Sequence, residues 1–496
     1  MQHVVGIDVG TSGVKAIVVN ETGSVLGEAT TPLTLSTPKP GWAEQNPDDW
    51  WKAACQAVGK AIKAAGIPAN SISAVGLSGQ MHSSVFLDAH GAVVRPALLW
   101  CDGRTTAQCE QITKEVGAKG LRKWACNPAL EGFTLPKVLW LKQHEPAAFR
   151  KVSKVVLAKD YIRFKLTGTL ATEPSDASAT LMFDTVKQRW SSDILKAVGL
   201  KESLTVDLVG SAENSGAVTA QAAKLTGLPV GIAVAGGGAD NACGAIGVGG
   251  VSAGEAVASW GTSGTVVAPT SKPVVDPGLR AHTFCHAVPN TWYVMGVMLS
   301  AGGAFGWFRD NCAKDLAGSK DPNVALNDEA AKVAVGAEGL TFLPYLQGER
   351  TPHRDAAARG AFVGISMAHT RAHMSRAVLE GITFGLRDSV SILAGMKLPL
   401  NRILLTGGGA KSPFLRQLQA DVYGLPVVRV NREEGPAFGA ALLGAVCAGI
   451  FKDVPSACKT TLKRLAPEKP NMKTHKAFAA PYERYTSLYP ALRGRF

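Results

Sequence analysis

Asp8 stands two residues before a turn of Gly10, Thr11, Ser12 and Gly13, between the apolar runs VVGIDV and VKAIVV. A glycine and hydroxyl turn offers backbone N–H groups and side-chain oxygens to an anion. A carboxylate at the end of the incoming strand can hold the divalent cation that bridges phosphates. Asp8, Thr11 and Ser12, with Lys15 adding charge, thus outline a grip on Mg²⁺ and the tail of a nucleoside triphosphate. A plain hairpin turn with a capping Asp uses the same residue types.

The four residues recur half a chain later. GTSG occupies Gly261 to Gly264, with EAVASW before it and TVVAPT after it, and contributes Thr262 and Ser263. Matching strand context makes duplication the better reading, with two similar lobes presenting two grips to one ligand between them. A second carboxylate follows Val230 to Ala235, read as a buried strand, and three glycines that deliver Asp240 to the start of a small-residue helix. Open α/β sheets place functional groups at such strand ends. A carboxylate there can take the proton of a hydroxyl, while capping the helix is its competing task. RILLTGGGAKSPFLRQLQADVYG, residues 402–424, repeats strand, Gly-rich turn and helix, with room for a flat or phosphate-bearing ligand beside the main chain.

Other elements must hold these groups in place. Val14–Asn20 and Val25–Ala29 read as strands of an antiparallel meander. Asp48–Ala64 reads as a helix with Trp50, Trp51, Ala54 and Val58 on one face. Ile72–Leu77 reads as a strand ending in Ser78-Gly79-Gln80-Met81-His82; Met81 and His82 taken alone suit a core pair. Pro436–Ile450 reads as a helix and 453–470 as a peripheral extension.

A chain of 496 residues exceeds one hydrophobic core, so at least two domains are expected. The net charge of +13 is concentrated: the last 46 residues hold ten Lys/Arg against three Asp/Glu. That pattern suits a solvated basic tail domain or final helix, and no nucleic-acid motif accompanies it. The most apolar long stretch, 230–260, is broken by glycines, Asp240 and Glu255, so no membrane segment is expected. Nine cysteines without a CxxC pair and the lack of a leader pattern suit a reducing cytoplasm. GxxxxGK[ST], GxSxG and HExxH are absent, and no GxGxxG of dinucleotide type opens a helix. His282, Cys285 and His286 have metal-ligating types but lack a fourth ligand, Glu349-Arg350 reads as a structural ion pair, and nothing marks Cys101 or Cys243 as activated.

IDVGTSGVKAIV, GLSGQMHSSVFLD, LLWCDGRT, GFTLPKVLWL, LAKDYIRFKLTG, VAGGGADNACGAIGVG, SWGTSGT, FLPYLQGERTPH and LLTGGGAKSPFLRQLQADVYGLPV resemble, in order, the FGGY carbohydrate kinases. Among these the likeness is to kinases of ketopentoses such as D-xylulose. The resemblance implies an α/β fold of two ribonuclease-H-like lobes, as in actin and hexokinase, with ATP and Mg²⁺ in the central cleft. It places the sugar site, first turn and base in residues 1–247, and the second turn and adenosine site in 248–496. The implied reaction phosphorylates a primary hydroxyl of D-xylulose, with ribulose or polyol kinases as the alternatives within the family. From another class, the alternative is a non-enzymatic ATP switch of the same superfamily.

By resemblance, Asp240 is the catalytic base, and Met81, His82 and Asn241 contact the sugar. Asp8 positions Mg²⁺ through water, Thr11, Ser12, Lys15 and Thr262 face the phosphates, and Gly302, Gly306, Gly408 and Gly409 border the nucleotide. Glycerol kinases carry Arg where Lys15 stands. Trp100, Asp102, Arg104 and Phe133 are further pocket candidates. The oligomeric state is left open, a homodimer included.

Overall fold

Strand β1 (His3–Val9) is apolar on both faces, and in the computed structural model, which describes residues 2–496, both faces are covered. It pairs antiparallel with β2 (Gly13–Asn20), which pairs antiparallel with β3 (Val25–Pro32). On its other side β1 runs parallel to β4 (Ile72–Gly79), and β5 (Asn214–Ala217) and β6 (Ala233–Ala235) finish the order β5-β6-β4-β1-β2-β3. Helix α1 (Pro47–Ala65) seals one face, packing Trp50, Ala54, Ala57 and Val58 on Val5, Ile7 and Val9. Its ends follow its sequence: Asn46 caps the Asp48 N–H, and Gly66 closes it at φ 63°.

The second half repeats the design. β7 (Gly254–Trp260) and β8 (Gly264–Thr270) form the hairpin of the second GTSG, followed by β9 (His282–Cys285) and β10 (Trp292–Met298). β11 (Leu400–Gly407) runs parallel to β7 and β12 (Val427–Val428) parallel to β11, giving the order β9-β10-β8-β7-β11-β12. In both sheets a hairpin and a third antiparallel strand lie on one side and two parallel strands on the other. That is the ribonuclease-H-like arrangement, present twice.

Among the other helices, those that matter for the site and its packing are, in chain order, α2 (Ala158–Thr167), α3 (Asp240–Gly247), α4 (Gly302–Cys312), α5 (Arg371–Gly395), α6 (Pro413–Tyr423), α7 (Pro436–Cys447), α8 (Val454–Thr461) and α9 (Ala479–Leu492). α7 lies on the first sheet, although it comes from the second half. The approach is close enough to exclude side chains: a Cβ on Gly76 would fall 1.7 Å from Ala440 O, and one on Gly6 2.2 Å from Ala437 O. α3 crosses α7 equally closely, with Gly439 held against Cys243 O.

Two readings change. Val230 is exposed in a turn with Gly231 at φ 83°, so the buried strand begins only at Ala233. Segment 453–470 is not peripheral: Val454, Ala457 and Cys458 of α8 join the core beside α7, and bridges Val430–Arg464 and Val427–Glu468 extend the second sheet. Its lysines mask apolar residues at helical spacing. The basic end of the chain does form a final helix, α9, which docks on the second lobe: Tyr485 is buried and its hydroxyl meets that of Tyr345 at 2.9 Å.

Candidate active site

Three strand ends open at one edge of the first sheet. Asp8 stands in register with Ser78 of β4, and Ser78 with Gly238 of the short stretch Gly238–Ala239. The sheet thereby gathers Asp8, the Gln80–His82 segment and Asp240. Asp8 Oδ1 is buried without a hydrogen-bond partner among the described residues, and burial pushes the carboxyl up to about 6. An orphaned carboxylate oxygen at a strand end suits a hydrated Mg²⁺. Lys15 lies opposite Asp8, yet its ammonium pairs with Glu28 Oε2 at 2.8 Å.

The first turn is braced from three directions. The Thr11 hydroxyl donates to Gln80 Oε1 at 3.2 Å and accepts from Trp100 Nε1 at 2.9 Å, and Gln45 Nε2 donates to Thr11 O at 2.8 Å. Thr11 is therefore engaged by protein, whereas Ser12 is exposed. Gln45 and Gln80 carry no local signal in the sequence; only the tertiary pairing shows what they hold.

Asp240 is the first residue of α3, and the cap position is Ala239, so the capping reading gives way. Its Oδ1 accepts from the Asn241 N–H at 2.7 Å and from Asn241 Nδ2 at 3.0 Å. Burial, with the nearby charge of Asp8, raises its carboxyl to about 7. Behind it lies a buried ionic cluster that sequence reasoning missed. Lys159 Nζ reaches Asp160 at 2.8 Å, Asp176 at 3.1 Å and Glu173 at 3.4 Å. Ala239 N–H donates to Ser175 Oγ at 2.9 Å, Ser175 Oγ donates to Glu173 Oε1 at 2.7 Å, and Arg163 Nη2 donates to Gly236 O at 2.7 Å. Buried ion pairs contribute little net stability. What this cluster does is fix the Gly-rich approach to Asp240.

Met81 and His82 form the adjoining wall. Met81 Sδ accepts from Asn241 Nδ2 at 3.4 Å, and the Tyr293 hydroxyl lies 3.9 Å from it on the other side. His82 adopts φ 66°, its Nδ1 donates to Ala179 O at 2.7 Å, and burial pushes its ring down to about 3. The ring is thus neutral, with Nε2 left as an acceptor. Phe133 lies 4.4 Å from it between ring centres. Asp102 and Arg104 are spent elsewhere. Arg104 bonds Asp102 and Glu44 at 2.7 Å each and lies 3.6 Å over the Trp42 ring, while Asp102 Oδ2 also accepts from Ala43 N–H. They brace the segment that carries Trp100.

The second lobe holds a cavity of about 830 Å³ lined by Thr262, Gly302, Gly306, Gly408 and Gly409, with Trp260, Arg309 and Arg432 among its other walls. None of the first-lobe candidates lines it. α4 is clamped onto the second turn, Gly302 N–H donating to Gly261 O at 2.8 Å and Gly303 N–H to Thr262 O at 2.9 Å. Gly409 must be glycine, because a Cβ would meet the Trp260 ring at 2.7 Å.

Glu349 and Arg350 do not form the expected ion pair. Glu349 Oε1 accepts main-chain N–H groups, from Leu299 at 3.0 Å and Arg350 at 2.7 Å, and burial raises the acid to about 8. His282 Nδ1 bonds Asn127, Cys285 Sγ points to Thr185 O, and His286 Nδ1 accepts from Val288 N–H. No cluster of three metal-ligating side chains occurs among the described residues. Burial raises the Cys101 and Cys243 thiols, so neither is activated.

Residues 3–247 match the N-terminal domain of the FGGY family of carbohydrate kinases and residues 256–448 its C-terminal domain. A xylulose kinase of Bacillus subtilis is 38 % identical over 489 residues, 99 % of this chain and 97 % of that one. A xylulose kinase of Escherichia coli is 40 % identical over 484 residues, 97 % of this chain and 96 % of that one. The crystal structure of a xyloylose kinase from Brucella ovis superposes with a TM-score of 0.91 at 35 % identity, covering 100 % of both chains. Two duplicated grips, a poised carboxylate and domain matches spanning both halves agree, and the chain belongs to the FGGY family of carbohydrate kinases.

Proposed function

We propose that the protein transfers the γ-phosphoryl group of ATP to the primary hydroxyl of D-xylulose, giving D-xylulose 5-phosphate and ADP. The observation that carries the reading is Asp240, a half-buried carboxylate raised to about 7 beside the Met81–His82 wall. A sugar hydroxyl is a weak nucleophile, and a base near neutral pKa takes its proton as the oxygen attacks the γ-phosphorus. The bond from that phosphorus to the bridging oxygen of ADP breaks, and the proton stays on Asp240. Neutral His82 accepts a sugar hydroxyl at Nε2, and Asn241, tied to both Asp240 and Met81, keeps base and wall in register. Asp8 would hold Mg²⁺ through water; when bound, the ion offsets negative charge on the triphosphate. Thr262, Gly302, Gly306, Gly408 and Gly409 border the space assigned to the nucleotide.

The substrate assignment is supported by the xylulose kinases among the relatives. We assign residues 1–247 to the sugar-binding lobe and 248–496 to the nucleotide lobe, with α7 of the latter stretch returning to cover the first sheet. We also assign the protein to a reducing cytoplasm, in keeping with nine free cysteines. No helix of the described residues is long and apolar enough to cross a membrane. The test is a coupled ADP-release screen across pentuloses, hexuloses and glycerol. Turnover greatest with D-xylulose is expected; ATP turnover that ignores every sugar would sink the reading.

A further inference from the structure

The sugar wall is touched from the second lobe as well. Gly132 leads into Phe133, Thr134 and Lys137. The Phe133 ring lies against the His82 ring, tilted by 46°, and Thr134 Oγ1 and Lys137 Nζ each donate to His82 O at 3.1 Å. A Cβ on Gly132 would lie 2.7 Å from Trp100 O and 3.2 Å from Arg350 Nη2. Arg350 comes from the loop between the strands Thr341–Leu343 and Ala361–Val363 of the second lobe, so its guanidinium crosses the cleft. Only its main chain is held, the N–H donating to Glu349 Oε1; the guanidinium forms no hydrogen bond or ion pair with the described residues. Its charge bears on His82, Lys137 and His282, depressing the pKa of each.

An arginine presents five N–H donors in a rigid fork, and those of the half-buried Arg350 are free to meet a ligand. Neighbouring hydroxyl and carbonyl oxygens of a ketose are acceptors of suitable spacing. Gly132 leaves the space that such a side chain occupies.

We propose that Arg350 completes the acceptor site from the second lobe, its guanidinium donating to oxygens of the bound ketose across from His82. This deepens the function given above and rests on it. The acceptor sugar then bridges the two lobes, so sugar affinity and cleft geometry are coupled through one side chain.

The test is made on the full-length enzyme with Arg350→Met and Arg350→Lys, by ADP release with ketose and ATP varied in turn, alongside thermal unfolding. Arg350→Met is expected to raise KM for the ketose roughly 10- to 100-fold, the range for losing a hydrogen bond from a charged donor. KM for ATP and the melting temperature should stay near wild type, and Arg350→Lys should fall between. A folded Arg350→Met enzyme with unchanged ketose KM overturns the proposal. So does an equal rise in both KM values, which marks Arg350 as a mere brace of the Gly132 turn. If Arg350→Met fails to fold, Arg350→Lys decides by the same criteria. Wild-type turnover with D-xylulose is read separately: if another acceptor is preferred, the substrate assignment fails, and the variants are scored on that acceptor.

Discussion

Asp240 and Asp8 are carboxylates that burial makes reluctant to ionise, raised to about 7 and about 6. For a general base this is an advantage, since proton affinity near the working pH favours transfer. Asp240→Asn keeps the shape and the contact with Asn241 but removes the basicity. We expect kcat to fall by ~10²–10⁴ with ATP affinity retained; near wild-type turnover in a folded variant would show that the proton goes elsewhere. The same residue predicts a dependence of stability on pH. Its pKa is raised from 3.8 to about 7, so across that window the folded chain holds a proton that the unfolded chain has lost. The contribution is fully present below pH 3.8 and disappears as pH rises through about 7. Ligand-free wild type should therefore lose melting temperature relative to Asp240→Asn between pH 5 and pH 8, by calorimetry; an offset that does not change with pH would contradict it.

Elements whose signal is local were legible, and elements defined by distant partners were not. The strands around both GTSG turns could be read because Val4 to Val9 and Ala256 to Trp260 are mostly apolar runs that end in turn residues. Val230 misled because hydrophobicity alone does not reveal that Gly231 turns the chain at φ 83°. The partners of Thr11, namely Gln45, Gln80 and Trp100, lie 34, 69 and 89 positions away. No window reading could join them. α3 and α7 could be read as helices, but nothing local pointed to their close crossing at Gly439. There a Cβ would fall 1.9 Å from Cys243 O. Gly439→Ala gains up to ~1 kcal/mol of helix propensity, yet overpacking costs ~1–3 kcal/mol. The clash is with main chain, which cannot swing aside, so the second effect should win. A lowered midpoint in urea unfolding checks this, and an unchanged or raised midpoint would mean that the helices separate freely.

Across the whole molecule, the cavity we assign to the nucleotide is lined by the second lobe alone, while Asp8, Asp240 and the Met81–His82 wall belong to the first. Phosphoryl transfer needs the two sets brought together and water shut out. Ketose with a non-hydrolysable ATP analogue should therefore reduce the radius of gyration in small-angle scattering; identical profiles with and without both ligands would argue against closure. The placement of α7 has a different consequence, for biosynthesis. The first sheet is synthesised early, but the helix that covers the face bearing Gly6 and Gly76 ends only at Cys447. A ribosome adding ~5–20 residues per second needs roughly 10–40 s to make the intervening ~200 residues. Throughout that interval the nascent first lobe presents an apolar sheet face with its cover still unmade. The fold is therefore completed from the end of the chain backwards, and a chain truncated before α7 would leave that face as a target for chaperones rather than as part of a finished lobe.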